Sequence, residues 1–128
     1  MRDPKDLKAF QLADALVFEV YRLSATFPAD ERFGLTSQVR RAAVSVASNL
    51  VEGCSRDSQA DFKRFVDMAT GSAMELRYQL TIARRFGWCS ANEVSACETH
   101  AGEVCKVLIG LGKALRAETS NLVPGTYE

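Results

Sequence analysis

The residues best suited to chemistry lie on two neighbouring stretches of the chain. Asn49 and Glu52 end the segment QVRRAAVSVASNLVEG, residues 38–53, and Ser72 and Glu75 follow in the segment TGSAMEL. At about 100° per residue, Asn49 falls on the inward stripe of its helix and Glu52 at the edge of that stripe. Ser72 and Glu75 flank the core face of the next helix, so the four side chains are expected to meet between the two helices.

These polar groups admit two interpretations. One is a hydrogen-bonded layer that fixes helix register, with Gln79 nearby and with Gly53 and Gly71 allowing the helices to approach closely. The other is a pair of carboxylates, Glu52 and Glu75, for acid–base catalysis or metal binding. We favour the layer, because a buried asparagine without partners would cost about 1–3 kcal/mol. The predicted polar layer consists of Asn49, Glu52, Ser72 and Glu75.

Other catalytic and metal-binding patterns are weak. Di-metal bundles use Glu-x-x-His motifs, but the single histidine, His100, has no glutamate three residues before it. A nucleophilic pair of Cys97 and His100, or a metal site that adds Cys105, matches no standard spacing, and a cysteine in an apolar stripe is usually a packed thiol. The sequence also contains no glycine-rich phosphate loop and no G-x-S-x-G motif. We therefore predict a protein that is not an enzyme and has no catalytic residue, metal or cofactor.

Basic side chains on the second and third helices could instead contact RNA or DNA. In an oligomer, stripes of such groups would repeat around the assembly and could bind phosphates. The formal net charge of zero argues against this, and we see no aromatic residues interleaved with the basic ones for base stacking. The candidate contact residues are Arg40, Arg41, Lys63, Arg77, Arg84 and Arg85.

The composition is that of an ordinary globular domain. The chain has 128 residues, of which 47% are hydrophobic and 25% charged, so we expect one domain with its own core. The charged start MRDPKDLKAF does not resemble a signal peptide, and no apolar run approaches the roughly 18–20 residues that span a membrane. Four cysteines without a C-x-x-C pair favour packed thiols. We therefore expect a cytoplasmic protein that does not contact membranes.

Cap and turn signals divide the chain into four helices. Asp3-Pro4 is typical of a helix start, Ser58 and Ser90 of capping residues, and Gly87 of a helix end. These signals predict helices over about 4–25, 35–54, 58–86 and 90–118, with residues 119–128 as a tail. Because loops this short favour antiparallel neighbours, the pattern predicts an all-α, up-down-up-down four-helix bundle.

The first helix carries more apolar surface than one core requires. Leu7, Phe10, Val17, Phe18 and Tyr21 form one apolar face, and a second face lies nearly opposite. A bundle buries one face of each helix, so the second face needs another partner. The second helix shows the same excess more weakly, and contiguous apolar patches usually mark interfaces. The predicted self-association interface consists of Leu12, Leu16, Val20, Leu23, Val44 and Val51.

Two segments, FPADERFGLTSQVRRAAVSVASNLVEG and DFKRFVDMATGSAMELRYQLTIARRFG, closely resemble the small four-helix-bundle proteins called 23S rRNA intervening-sequence proteins. The resemblance covers about residues 5–88 well and the last helix loosely. One departure is Ala47, where the family has proline, so the second helix is expected to be straighter here. The most specific pieces are Phe27-Pro28, Gly34-Leu35, Gln38, Arg41, Asn49 with Glu52-Gly53, and Gly71-Ser72 with Glu75-Leu76.

The resemblance implies a left-handed antiparallel bundle that assembles into homopentamers and has no established biochemical activity. A more distant bundle relative, the accessory protein of diversity-generating retroelements, resembles a pentamer that binds nucleic acid and a reverse transcriptase. We therefore expect a non-enzymatic homo-oligomer, pentameric by resemblance, that acts as a nucleic-acid-binding accessory factor. The alternative is a scaffold that binds a protein partner without nucleic-acid contact. A third hypothesis is an enzyme or metal protein that uses Glu52 and Glu75.

Overall fold

The computed structural model describes residues 2–118 in full and gives the bounds of the last helix beyond them. Regular structure in the described part of the chain is entirely helical, which confirms the all-α four-helix fold. The predicted tail, 119–128, lies outside the fully described residues. The helices are α1 (Lys8–Ser24), α2 (Leu35–Cys54), α3 (Gln59–Phe86) and α4 (Ala91–Tyr127), with short 3-10 turns at Pro4–Asp6 and Ala29–Glu31.

Local capping explains most of these boundaries. Ser58 accepts a hydrogen bond from the Asp61 amide over 3.0 Å at the start of α3, and Gly87 ends that helix in the left-handed conformation with φ of 70°. Asp3 caps a turn as predicted, but this turn is a 3-10 turn. Leu7 then adopts an extended backbone conformation, so the first α-helix begins four residues later than the sequence indicates.

Contacts between the helices pair the end of each one with the beginning of its neighbour. Arg40, in the first half of α2, donates to Ser24 at the end of α1. Arg84, near the end of α3, pairs with Glu98 near the start of α4. Helix α1 also packs on α4, which closes the bundle. This pairing is the one that antiparallel neighbours produce, while the predicted left-handed sense of the bundle stays a prediction. None of the helices in the described residues is long and apolar enough to cross a membrane.

The orientation of α1 is opposite to the one predicted. Leu16, Val20 and Leu23 lie in the core of the chain itself, so they are not available to another copy, and Leu12 is half-buried beside α4. Phe18 and the rest of the predicted core face point outward or lie at the edge of the bundle. The physical reason is that the buried stripe also contains two alanines, whose small side chains let α2 and α4 pack closely against it. The fully buried stripe is Ala9, Ala13, Leu16, Val20, Leu23 and Ser24.

Helices α2 and α3 approach closely at Gly53. A Cβ atom at this position would lie 2.9 Å from the Cβ of Phe65 and 3.3 Å from Cδ1 of Phe62. The prediction for Gly53 is therefore confirmed. The prediction for Gly71 is wrong, because Gly71 is exposed and its added Cβ would meet no atom within 4 Å.

Because their surroundings differ, substitution by alanine should have opposite effects on stability at Gly53 and at Gly71. Gly53→Ala should destabilise the protein by about 1–3 kcal/mol, because the new methyl group overpacks the contact with Phe65. Gly71→Ala should stabilise it by about 0.5–1 kcal/mol, because alanine loses less backbone entropy than glycine in an exposed helix. Urea unfolding monitored by circular dichroism measures both. Equal stability of Gly53→Ala and the wild type would contradict the close contact.

Candidate functional site

A polar cavity of about 330 Å³ lies between α2 and α3. Four of its lining residues come from α2 and three from α3, and those of each helix share one face because they lie about one turn apart. We call this cavity the polar groove. It is lined by Gln38, Arg41, Ala42, Ser45, Ser72, Glu75 and Gln79.

Hydrogen bonds join the two helices at one end of the polar groove. The hydroxyl oxygens of Ser45 and Ser72 lie 2.8 Å apart. Asn49 donates from Nδ2 to the Ser45 carbonyl oxygen over 2.8 Å and to the Ser45 hydroxyl over 3.2 Å. Asn49 and Ser72 therefore belong to one polar layer, as predicted, but Ser45 connects them. Ser45 was not predicted as a member of this layer, although its position one turn before Asn49 on the same helix indicates this role.

The two glutamates do not belong to that hydrogen-bonded layer. Glu52 is exposed and pairs with Arg56 over 2.7 Å, one turn further along the chain. It does not line the polar groove, so Glu52 and Glu75 do not form the carboxylate pair considered from the sequence. Glu75 does line the groove, yet it makes no hydrogen bond or ion pair with the residues that the structure describes. The predicted layer is thus corrected to Ser45, Asn49 and Ser72.

Gln79 carries an unpaired polar atom at the other end of the polar groove. Its side chain is 6% exposed, and its Oε1 atom is buried without a hydrogen-bond partner among the described residues. Leaving a buried acceptor unpaired costs about 1–3 kcal/mol. Such atoms are rare in folded proteins and call for a specific reason.

Three of the six candidate nucleic-acid contacts are engaged within the chain. Lys63 pairs with Asp67 over 2.6 Å. Arg84 pairs with Glu98 over 2.8 Å. The third, Arg40, lies over the Tyr21 ring at 4.7 Å from its centre and donates to the Ser24 hydroxyl.

The other three arginines make no ion pair with the described residues, but they lie apart. Arg41 lines the polar groove between α2 and α3. Arg77 lies between α3 and α4, and Arg85 lies on the outer side of α3. The six basic residues therefore do not form one patch on a single chain.

An exposed stripe on α3 was missed by the sequence analysis. Tyr78 is 64% exposed and lines the same surface pocket as Arg85, so an aromatic ring does accompany one of the basic residues. Phe86, also exposed, stacks on Trp88 with 4.7 Å between ring centres. Large side chains recurring every four residues are the signal that indicates such a stripe. We call these residues the outer α3 stripe: Met74, Tyr78, Ile82, Arg85 and Phe86.

The single histidine contacts a carboxylate on a neighbouring helix. His100 Nδ1 lies 2.8 Å from a carboxylate oxygen of Glu19 on α1. Cys97 is completely buried, and burial, assisted by the nearby Glu19 charge, raises the pKa of its thiol to about 12. A thiol with such a pKa stays protonated at neutral pH and is a poor nucleophile. Among the described residues, no group of three or more His, Cys, Asp or Glu side chains could hold a metal ion.

Known proteins similar to this chain include the members of one family and a solved structure. A family model described as 23S rRNA-intervening sequence protein matches residues 5–110. The crystal structure of a protein of unknown function from Bacteroides thetaiotaomicron, described as a member of the S23 ribosomal protein family, superposes with a TM-score of 0.76 at 21% identity. The match covers 82% of this chain and 98% of that chain, and at this identity it supports the fold alone. No curated protein matches the chain.

The protonated state of Cys97 can be tested by chemical labelling. At about pH 8, iodoacetamide should modify the partly exposed Cys89 before Cys97, because Cys97 is inaccessible and its pKa is about 12. Peptide mass spectrometry after short labelling measures the modification of both cysteines, and labelling in urea provides the control. Rapid native labelling of Cys97 would contradict this assignment.

The raised pKa of the Cys97 thiol also predicts how stability depends on pH. The thiol should contribute to the stability of the fold below its ordinary pKa of about 8.5. This contribution should be lost as the pH rises towards about 12.

Proposed function

Because the chain belongs to the 23S rRNA-intervening sequence protein family, we propose that it is a non-enzymatic, self-associating protein that acts as a nucleic-acid-binding accessory factor. The proposed assembly is a homopentamer, a number that comes from the family resemblance. The observation that carries the proposal is an apolar surface that the single chain leaves uncovered. The four cysteines are free in the described structure, and such thiols suit a reducing compartment, so we place the protein in the cytoplasm.

The uncovered surface lies where α1 meets α2. Phe18 is 59% exposed, and Tyr21 follows it on the next turn of α1. The guanidinium of Arg40 covers the Tyr21 ring from α2, which places the two helices side by side here. Val44 and Val51 are exposed further along α2. We call Phe18, Tyr21, Val44 and Val51 the outer α1–α2 face, and contiguous exposed apolar groups of this kind usually mark an interface.

Nucleic-acid binding is supported by the C-terminal half of α3. Arg77 and Arg85 make no ion pair with the described residues, and the exposed Tyr78 ring lines the same surface pocket as Arg85. Phosphates bind to cations, while bases stack on aromatic rings with about 1–3 kcal/mol per base, so this combination suits single-stranded RNA or DNA. A single chain with zero net charge offers few such contacts. Several copies in a ring would multiply them.

A protein-binding scaffold remains the second candidate. The same outer α3 stripe contains the exposed apolar side chains of Met74 and Phe86 and the partly buried Ile82. An apolar row at four-residue spacing can also receive a helix from a protein partner. The two candidates predict a different salt dependence of binding. Binding of nucleic acid through Arg77 and Arg85 should weaken as salt rises, whereas a mainly apolar contact with a protein should depend little on salt.

Self-association is tested by placing charge on the outer α1–α2 face. The double variant Phe18→Asp and Val44→Asp should be monomeric, because two carboxylates would be desolvated at the contact. Met74→Asp, on the outer α3 stripe, is the matched control and should keep the assembly. Light scattering after size-exclusion chromatography at micromolar concentration measures the mass. A monomeric wild type, or a double variant with the mass of the wild type, would contradict this interface.

Nucleic-acid binding is tested by charge reversal on α3. The double variant Arg77→Glu and Arg85→Glu should bind labelled single-stranded RNA and DNA at least about tenfold more weakly than the wild type at low salt. The slope of log affinity against log salt should fall by about 0.7 for each phosphate that the variant no longer binds. Fluorescence anisotropy measures both quantities, with Lys8→Glu on α1 as the control.

The outcomes of this experiment separate the two candidates. Salt-dependent binding that Lys8→Glu retains and the double variant loses supports the accessory factor. No binding of either nucleic acid at low salt refutes that part of the proposal and leaves the scaffold. Tyr78→Ala tests the stacking contribution, since it removes the ring without changing the charge.

A further inference from the structure

Three aromatic rings form a row from the core to the surface at the end of α3. Phe27, in the loop between α1 and α2, is 7% exposed, and its ring centre lies 6.0 Å from that of Trp88. Trp88 stacks in turn on Phe86, with 4.7 Å between the ring centres and 10° between the ring planes. Phe86 is nevertheless 66% exposed. Because Trp88 covers one face of the Phe86 ring, so large an exposed fraction requires that the opposite face is open.

A turn of the backbone holds the two outer rings together. The Gly87 amide donates to the Arg84 carbonyl oxygen over 3.1 Å. The Trp88 amide donates to the Ala83 carbonyl oxygen over 3.2 Å. This pair of hydrogen bonds is the Schellman motif, which folds the chain back on the helix end and places Gly87 in the left-handed conformation. The stack is therefore formed before a ligand binds, which reduces the entropy that binding would cost.

A cation without an ion pair lies beside the open ring. Arg85 lines a cavity of about 450 Å³ together with Tyr78, Ile82 and Phe86. Arg85 makes no ion pair with the described residues, so its charge can attract an anion. The volume of the cavity lies within the range of about 300–1,000 Å³ that is usual for small-ligand sites.

The open ring and the cation together define the chemistry of a ligand. Aromatic rings pack in parallel, offset stacks, so a stack that ends in an open face is extended by another flat ring. The guanidinium of Arg85 adds attraction for a phosphate. A nucleotide combines both groups, whereas the apolar face of a protein helix needs no parallel ring and brings no anion. The base must be unpaired, because bases within a duplex already stack on their neighbours.

We propose that Phe86 is a stacking platform for an unpaired base of a nucleic-acid strand, and that Arg85 binds a phosphate of the same strand. Phe27 and Trp88 support this platform from the core. The inference rests on the proposed nucleic-acid binding and deepens it, because it assigns the base contact to one ring and makes affinity depend on bases as well as on phosphates. Stacking is tolerant of sequence, since every base has an aromatic face.

The contribution of the bases is measured with two DNA strands of equal length and charge. One is oligothymidylate of about ten nucleotides, within the usual site sizes for single strands. The other has the same phosphates but carries abasic sugars throughout. The wild type should bind the strand with bases at least about fivefold more tightly at low salt. Fluorescence anisotropy with the full chain measures both affinities.

Substitutions of Phe86 separate stacking from apolar contact. Phe86→Leu keeps an apolar side chain but removes the ring, so it should reduce the preference for the strand with bases about fivefold or more. It should bind the abasic strand as the wild type does, which also shows that the variant is folded. Phe86→Tyr keeps a ring and should keep the preference. The matched control is Phe33→Leu, because Phe33 is 88% exposed and lies outside this stack.

The outcomes distinguish this inference from the proposed function. A preference for bases that Phe86→Leu loses, and that Phe86→Tyr and Phe33→Leu keep, supports the platform. Equal affinity of the wild type for the two strands overturns the platform but leaves the proposed phosphate contacts in place. A preference that is unchanged in Phe86→Leu, or a loss of affinity for both strands in that variant, also overturns it. No binding of either strand at low salt refutes the platform and the proposed nucleic-acid binding together.

Discussion

The close approach of α2 to α3 at Gly53 is the contact on which the site depends. A side chain at this position would collide with Phe65, so only glycine lets the two backbones come this near. Interaxial distances are set by the side chains at the contact. Further along the same pair of helices, the hydroxyl oxygens of Ser45 and Ser72 lie 2.8 Å apart. Beyond them the facing side chains become longer and polar, and they line the polar groove.

Ion pairs within the chain determine which charged side chains can bind another molecule. Lys63, Arg84 and Arg56 each lie beside a carboxylate of the same chain. Exposed pairs of this kind add little stability, about 0–1 kcal/mol each, but they neutralise the field around each cation. Arg41 and Arg77 make no such ion pair with the described residues, although glutamates line the same pockets. The net charge of the chain is zero, but many of the opposite charges lie in pairs. Cations outside these pairs can therefore give the surface local positive charge.

The sequence was sufficient for the helices and for most of the core. The turn and cap signals at Ser58 and Gly87 depend on local chemistry, and they act in the structure as predicted. The faces of α1 were assigned wrongly because a helical wheel shows that two apolar faces exist but not which neighbours cover them. The bulky Phe18 suggested a core position, whereas the small Ala9 and Ala13 allow the close packing that selects the opposite face.

The candidate site was predicted less well, again for a physical reason. Ser72 was placed correctly on the flank of a buried stripe, whereas Asn49, expected on the inward stripe, is half-buried. Glu52 was assigned to the same layer because its wheel position is near that flank, but a glutamate side chain is long and flexible. Its pairing with Arg56, one turn away, keeps the carboxylate in water and avoids the desolvation that a buried position would require. Wheel position therefore predicts the location of short polar side chains better than that of long charged ones.

The hydrophobic core and the polar groove have opposite effects on the stability of the α2–α3 pair. On the core side, Val46, Leu76 and Leu80 are fully buried, and their packing holds the helices whether or not the groove is satisfied. On the groove side, an unpaired acceptor costs about 1–3 kcal/mol, a large part of the roughly 5–15 kcal/mol by which domains are stable. The fold can carry this cost because the adjacent core offsets it. The same core buries Gln79, whereas the side chain of Glu75, one turn earlier on α3, is exposed and is not held by it.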